Sequence, residues 1–167
     1  MAKWTWAEGR GIVRVAGVDA EEFLQGLISN DVTKAGPEVA IYAALLTPQG
    51  KFLHDFFVLR MADGFLFECE AERRADLLLR LKRYKLRAKV DLVDETDAWR
   101  VAVMWGQGAE TAGLPATAIA FADPRLPSLG IRVLVPVGQA NQPLTPDASE
   151  APFAAYERLR RSLGVGA

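Results

Sequence analysis

The sequence predicts an α+β fold in which antiparallel sheets carry helices on one face. Segments with a two-residue apolar alternation fill much of the chain, and turn dipeptides join several of them directly. Two segments with a helical apolar period lie among these strands. Because one helix lies among four or five strands twice along the chain, we expect two split β-α-β units of the ferredoxin-like type.

The first strand and the first helix follow each other closely. Residues 11–16, "GIVRVA", alternate and predict a short strand. The next segment is "GVDAEEFLQGLISND". In it Asp19 is a suitable N-cap, and a glutamate three residues later completes a capping box. Val18 and Phe23 occupy the positions of a hydrophobic staple. We therefore predict a helix over residues 20–29. Its apolar face consists of Phe23, Leu24, Leu27 and Ile28.

A three-stranded meander is predicted over residues 39–70. Residues 39–47, "VAIYAALLT", and 51–60, "KFLHDFFVLR", predict strands joined by the turn "PQG", and "DG" leads into a third strand, "FLFECE". The second strand is apolar, yet it contains His54 and Asp55 in its first half. Burying an ionised carboxylate without donors is costly. Either turn amides hold Asp55, or it faces a cavity in which a ligand supplies the donors.

The rest of the chain continues the alternation of strands and helices. The apolar period is helical from about residue 72 to 84, with Leu77, Leu78, Leu81 and Tyr84 on the buried side. Four further strands are predicted at "AKVDLVDE", "AWRVAVMWG", "AIAFA" and "GIRVLVPV". Residues 138–152 are typical of a linker, with three prolines and few large apolar residues. A last helix over about 150–163 places Phe153, Tyr156, Leu159 and Leu163 near one face.

Composition limits the class of protein. The chain has 167 residues, a formal net charge of −1 and a mean hydropathy of +0.07, typical of a soluble globular protein of one large or two small domains. No apolar run is long enough for a membrane span, and no signal-peptide core is present, so we expect no membrane partner and a cytoplasmic location. One histidine and one cysteine do not supply a metal site, and we expect none. Cys69 lies between two glutamates, which indicates a structural cysteine rather than a nucleophile.

A basic run occupies residues 80–89, "RLKRYKLRAK". Its six cations are Arg80, Lys82, Arg83, Lys85, Arg87 and Lys89. The simpler interpretation is a helix C-terminus, which favours cations through its dipole, followed by a solvated face. The alternative is a patch for an anionic ligand tail or for RNA phosphates, although with few aromatic neighbours nucleic acid is not expected.

Three ordered segments together resemble a known family. "VAGVDAEEFLQGLISNDV", "YAALLTPQGKFLHDFFVLR" and "LLLRLKRYKLRAKVDLVD" resemble the N-terminal part of the folate-binding YgfZ-like proteins, relatives of the aminomethyltransferase (T-protein) of the glycine cleavage system. The resemblance spans most of residues 10–95 and continues loosely to "YERLRRSLGV" at 156–165. The family's K-G-C-x-x-G-Q-E segment and C-terminal barrel are not matched. We expect a fragment of a longer protein, or else a natural short relative.

The resemblance implies a site, a function and a domain organisation. By the family pattern, Tyr42 and Asp55 line a folate pocket, and the cofactor is tetrahydrofolate. The implied function is to assist iron–sulfur cluster assembly or repair, with folate and iron–sulfur client proteins as partners; no catalysis is expected from this chain alone. The fold relatives imply that residues 1–167 form two interleaved subdomains, about 1–45 with 97–167 and about 46–96.

Several alternatives remain open from the residues themselves. Asp55 accepts bonds from turn amides in the structural alternative, and Tyr42 is then a core aromatic with its hydroxyl at the surface. Asn30 and Asp31 match the family's "ND" dipeptide, but both residue types are common at helix ends and turns, and a structural role is the better interpretation. The alternative functions are an aminomethyltransferase-type enzyme and a non-catalytic RNA or protein interaction domain that uses residues 80–89.

Overall fold

The computed structural model describes residues 1–140 and 143–166, and it divides the chain into two compact units. One unit combines Met1–Glu8 with Ala98–Ala167, and the other is Gly9–Asp97. The sequence placed residues 9–45 with the terminal segments, whereas here they lie in the second unit. The reason is strand pairing, because the strands at 10–16 and 41–46 belong to the same sheet as those at 52–70.

Strands and helices alternate as the sequence predicts. In chain order they are β1 (Lys3–Trp6), β2 (Arg10–Ala16), α1 (Ala20–Gln25), β3 (Ile41–Leu46), β4 (Phe52–Met61), β5 (Gly64–Glu70), α2 (Arg74–Lys85), β6 (Asp91–Asp94), β7 (Trp99–Trp105), β8 (Ile119–Ala122), β9 (Ile131–Pro136), β10 (Ser149–Glu150) and α3 (Phe153–Ser162). Short 3-10 turns lie at Val32–Lys34, Ala71–Arg73, Thr96–Ala98, Pro127–Leu129 and Val137–Gln139. Within the described residues, no helix has the length and apolar character that crossing a membrane requires.

The unit Gly9–Asp97 contains one antiparallel sheet in the order β3-β4-β5-β2-β6. The predicted meander is confirmed as β3, β4 and β5. Strand β2 pairs antiparallel with both β5 and β6, which are joined through α2, so this segment is a split β-α-β unit. The α+β class and the antiparallel sheets are therefore confirmed.

The core of this unit lies between the sheet and the two helices. Successive side chains of a strand point to opposite faces, so alternate residues of β3 and β4 meet the helices. That face contributes Ile41, Ala43, Leu45, Phe56 and Val58, which pack with Leu24 of α1 and with Leu77 and Leu81 of α2. Helices α1 and α2 cover one face of the sheet, as predicted, and the opposite face also contains buried residues, among them Phe57 and Leu59.

The first helix is shorter than predicted, and its expected cap does not form. The side chain of Asp19 makes no capping bond; its Oδ2 instead accepts a hydrogen bond from the backbone N–H of Lys89 at 2.7 Å. Val18 is 84% exposed, so it forms no hydrophobic staple. The helix ends at Gln25 because the following residues pair with the edge of the sheet, where the N–H of Ser29 donates to the carbonyl of Ala44 at 2.9 Å.

The other unit contains a mixed sheet in the order β10-β1-β7-β9-β8. Strand β10 runs parallel to β1, and the remaining neighbours are antiparallel. Its one described long helix, α3, follows the last strand rather than lying between two strands. Tyr156 and Arg160 are the buried residues of α3, whereas Phe153 of the predicted face is exposed. The predicted linker 138–152 contains β10, and its residues 141–142 lie outside the described residues.

Candidate functional site

Two predicted site residues lie on the face of the sheet opposite α1 and α2. His54, Phe56 and Val58 of β4 point towards the helices, so Asp55 and Phe57 point the other way. Tyr42 of β3 is the direct partner of Phe57 in the antiparallel pair, and it lies on this same face. The structure therefore brings Tyr42 and Asp55 together on neighbouring strands.

A short hydrogen bond joins the two residues. The hydroxyl of Tyr42 donates to Oδ2 of Asp55. The ring of Tyr42 contacts that of Phe57 in a tilted arrangement, with centroids 5.2 Å apart. Asn30 lies in the segment between α1 and β3 and holds this edge strand. Its side-chain amide donates to the carbonyl of Tyr42 at 3.0 Å. These contacts fix a half-buried carboxylate beside two aromatic rings.

The turn before β4 does not hold Asp55. Its polar groups satisfy each other: Thr47 N–H donates to the carbonyl of Lys51 at 2.7 Å, and Lys51 N–H donates to Oγ1 of Thr47 at 3.0 Å. No described backbone amide donates to Asp55, and its second oxygen, Oδ1, accepts no hydrogen bond from the described residues. The donor on Asp55 is thus the Tyr42 side chain, and Oδ1 is available to a ligand.

His54 points away from this face and pairs with α2. Its Nε2 lies 2.7 Å from Oδ2 of Asp76, and the same oxygen accepts a hydrogen bond from Nε of Arg80 at 2.8 Å. These bonds, that of Arg80 first, lower the pKa of Asp76 below its ordinary value. The cavity between His54, Asp55 and Leu77 has a volume of about 10 Å³, about enough for one water molecule. His54 is therefore a buried structural residue that ties β4 to the helix.

An ion pair beside the site is not predicted by the sequence analysis. Glu68 of β5 is the strand partner of Phe57 and is 1% exposed, and Nε of Arg10 donates to it at 2.6 Å. A buried carboxylate requires such a partner. The available signal is a glutamate that alternates with phenylalanines in "FLFECE", but its partner is 58 positions away.

Cys69 is a buried residue of the helix-covered face. Burial raises the pKa of its thiol to about 12, and the charge of Glu68 adds to this while that of Arg10 opposes it. Such a thiol is neutral at physiological pH and is a poor nucleophile. Within residues 1–140 and 143–166, no cluster of three histidine, cysteine or carboxylate side chains is arranged to hold a metal ion.

Asn30 and Asp31 both make structural hydrogen bonds. Besides its bond to Tyr42, Asn30 accepts through Oδ1 from the N–H of Asp31 at 2.7 Å. Oδ1 of Asp31 accepts from Thr33 and from Gln25, and the Thr33 hydroxyl is the main reason that the pKa of Asp31 is lowered. Their role here is to shape the chain between α1 and the edge strand that carries Tyr42.

Two larger clefts lie elsewhere in the described chain. One, of about 540 Å³, is lined by residues 113–116, 138–139, 143–144 and Pro146. The other, of about 570 Å³, is lined by residues of the β2–α1 and β4–β5 connections and by Asp91. Neither includes Tyr42 or Asp55.

Comparison with known proteins gives one family match and a set of named relatives. The GCVT N-terminal domain family matches residues 8–127. An iron–sulfur cluster assembly factor IBA57 homolog, mitochondrial, of Pyricularia oryzae is 35% identical over 171 residues, covering 97% of this chain and 42% of that protein. The mitochondrial IBA57 of Mus musculus is 32% identical, with 95% of this chain and 49% of that protein covered. The chain thus spans less than half the length of these curated relatives.

A solved structure shares the fold. The glycine cleavage system aminomethyltransferase T of Bartonella henselae superposes with a TM-score of 0.67 and 15% sequence identity, over 99% of this chain and 47% of that chain. At this identity the likeness concerns the fold alone.

The relatives also correct the expected location. They are named as mitochondrial proteins, so the prediction of a cytoplasmic location is wrong. It rested on the lack of a membrane-spanning run and of a signal-peptide core in the sequence. Neither observation separates the cytoplasm from another compartment.

Proposed function

The chain belongs to the GCVT N-terminal domain family, and from this premise we propose that it binds tetrahydrofolate and forms part of a protein that assists iron–sulfur cluster assembly. The observation that carries the folate proposal is the carboxylate of Asp55, held by the hydroxyl of Tyr42 on the face of the sheet opposite α1 and α2. The assembly proposal rests on the names of the relatives.

The residues at this site fit a reduced pterin. A flat ring that carries neighbouring N–H donors is matched by a carboxylate, which accepts two parallel hydrogen bonds. Asp55 retains Oδ1 and the second lone pair of Oδ2 for this purpose, and the half-buried ring of Tyr42, packed against the buried ring of Phe57, supplies an apolar surface for such a ring. The Tyr42 hydroxyl orients the carboxylate before the ligand arrives, which reduces the entropic cost of binding.

The role in iron–sulfur assembly belongs to a longer protein. The relatives are named as assembly factors, and this chain covers less than half of each. We infer that these residues contribute the folate-binding part, and that iron–sulfur client proteins are the partners of the whole. The likeness to aminomethyltransferase T supports the fold and not the reaction, so aminomethyl transfer is not proposed.

Calorimetric titration with tetrahydrofolate, under anaerobic conditions, tests the folate proposal. Asp55→Asn keeps the size of the side chain and exchanges one acceptor oxygen for a donor. Hydrogen bonds to a charged acceptor are worth roughly 1.5–3 kcal/mol, so the affinity should fall about tenfold or more. Asp91→Asn is the matched control, because Asp91 is an exposed aspartate of the same sheet. Absence of binding by the parent chain, or equal affinity in the Asp55 variant, would overturn the proposal.

A further inference from the structure

The C-terminal end of α2 exposes apolar and basic side chains together. The basic run was expected to be a solvated helix end, and two of its cations are used inside the chain. Arg80 pairs with Asp76, and Nζ of Lys85 donates to the carbonyl of Val90 at 2.7 Å. The remaining cations of the run are exposed, and no described carboxylate pairs with Lys82, Arg83 or Arg87.

Three large apolar side chains lie among these cations. Leu79 is 48% exposed, Tyr84 is 40% exposed, and Leu86 is 84% exposed. Leu79 and Arg83 are one helical turn apart, so they lie on the same outward side of α2. We call these residues the basic apolar patch: Leu79, Lys82, Arg83, Tyr84, Leu86 and Arg87. Single exposed apolar residues are common on protein surfaces, whereas several of them grouped in one region, rimmed by polar side chains, mark an interaction site.

The backbone at Leu86 adds a second, independent observation. Its φ of 45° and ψ of −109° are those of the first central residue of a type II′ turn, and the turn is closed by the N–H of Ala88, which donates to the carbonyl of Lys85 at 2.7 Å. Glycine is the usual residue there, because a Cβ atom is strained at positive φ. Leu86 therefore strains the turn and buries almost none of its side chain. Neither property helps the chain to fold, so this leucine is a candidate contact for another molecule.

We propose that the basic apolar patch docks an acidic protein segment that carries large apolar side chains among its carboxylates. The cations complement carboxylates, and the exposed leucines give the contact the apolar centre that protein interfaces require. An RNA is disfavoured because Tyr84 is the one aromatic ring in the patch on which a base would stack. A bilayer is disfavoured because the apolar side of α2, with Leu77 and Leu81, is already buried in the core.

This surface is separate from the folate site. Helix α2 covers one face of the sheet, whereas Tyr42 and Asp55 lie on the opposite face. The docking proposal goes beyond the proposed function and does not depend on it. Variants of the patch should keep the tetrahydrofolate affinity of the parent chain, and Asp55→Asn should keep the docking affinity, so failure of either proposal is distinguishable from failure of the other.

Fluorescence anisotropy with defined probes on the full chain tests the docking. The first probe is a 16-residue helical peptide, a length of about four turns, that combines glutamates on one side with leucines among them. Two matched peptides replace its leucines by serine or its glutamates by glutamine. A uridine oligonucleotide and phosphatidylserine vesicles test the other partner classes. We expect the first peptide to bind, both matched peptides to bind about tenfold more weakly or worse, and the RNA and vesicles not to bind through the patch.

Variants of the patch identify its contribution. Leu86→Ser and Arg83→Glu should each weaken the binding of the first probe, which we call the Glu/Leu peptide, about tenfold. Val18→Ser is the matched control for an equally exposed apolar side chain, and Arg158→Glu is the control for an exposed cation of α3. Both controls should leave the affinity within about twofold.

Leu86→Gly separates docking from folding. Glycine relieves the turn, so the melting temperature should rise, while the peptide affinity should fall as it does in Leu86→Ser. A merely structural leucine would give the opposite result for stability and no change in affinity. The proposal would be overturned if the parent chain did not bind the Glu/Leu peptide, or if it bound the matched peptides equally well. Arg83-dependent binding of RNA or of vesicles instead of the Glu/Leu peptide would also overturn it.

Discussion

Replacing Tyr42 by phenylalanine tests the hydrogen bond on which the candidate site is built. The substitution removes the hydroxyl that donates to Oδ2 of Asp55 and leaves the ring in contact with Phe57. The hydrogen bond from the side-chain amide of Asn30 to the backbone carbonyl of Tyr42 is also kept, so the edge strand should stay in place. At Asp55 the substitution removes one donor, the one that bonds to Oδ2.

The expected magnitude follows from the burial of that carboxylate. A hydrogen bond to a charged group contributes roughly 1.5–3 kcal/mol, and water replaces part of it because Asp55 is only half-buried. We expect Tyr42→Phe to lower the free energy of unfolding by about 1 kcal/mol, which for a chain of this size corresponds to a fall in melting temperature of about 2–4 °C.

Urea denaturation of four proteins measures the effect and its origin. Tyr42→Phe, Asp55→Ala and the double variant, compared with the parent chain, form a cycle whose coupling energy should be about 1 kcal/mol. Tyr84→Phe is the matched control, because no described residue hydrogen-bonds its hydroxyl, and it should change stability by less than about 0.5 kcal/mol. A coupling energy near zero, or equal effects at Tyr42 and Tyr84, would refute the assignment of the hydrogen bond.

Three further predictions concern the packing of the core, the reactivity of the Cys69 thiol and the loss of stability at acid pH. Leu77→Ala should lower the free energy of unfolding by about 2–5 kcal/mol, because Leu77 is fully buried. Leu79→Ala, on the outer side of the same helix, should lower it by less than about 0.5 kcal/mol. Equal effects of the two substitutions in urea denaturation would contradict the packing. The thiol of Cys69, with its pKa raised to about 12 by burial, should resist a thiol reagent at pH 8 until the chain unfolds, and rapid labelling of the native chain would contradict this. The bond from Arg80 lowers the pKa of Asp76, so its contribution to stability is present above the ordinary pKa of about 4 and is lost as the pH falls through the lowered folded-state value. Asp76→Asn should therefore be less stable than the parent at pH 7 and should lose this part of the acid dependence; parallel stability curves against pH would argue otherwise.

The sequence alone was sufficient to predict those elements whose apolar period or turn residues lie within one segment of the chain. The alternation and the "PQG" and "DG" turns predict the meander, and the helical period predicts α2. Strand β1, "KWTW", is too short for such a signal, and it exists because it pairs with β7 about a hundred residues away. The end of α1 is likewise set by a partner, since Ser29 bonds to β3 rather than continuing the helix.

In the candidate site, too, some features could be predicted from the sequence and others could not. Alternation along β4 places His54 and Asp55 on opposite faces, and the family resemblance selects Tyr42 with Asp55. The ion pair of Glu68 with Arg10 escapes sequence analysis because it depends on the register between β2, β5 and β4. The exposed Leu86 escapes it too, since its signal is a backbone angle that no composition or period reveals.

The most direct test of the account is to locate bound tetrahydrofolate on the chain by NMR. Titration of the ¹⁵N-labelled protein should give saturable shifts that are largest at residues 42–44 and 55–57, and Asp55→Asn should reduce them at equal ligand concentration. The exposed helix α2 should show little change, because it lies on the other face of the sheet. The largest shifts at residues 113–116 and 143–146, or no saturable shifts at all, would contradict the central claim that the face of this sheet opposite α1 and α2 binds folate through Asp55.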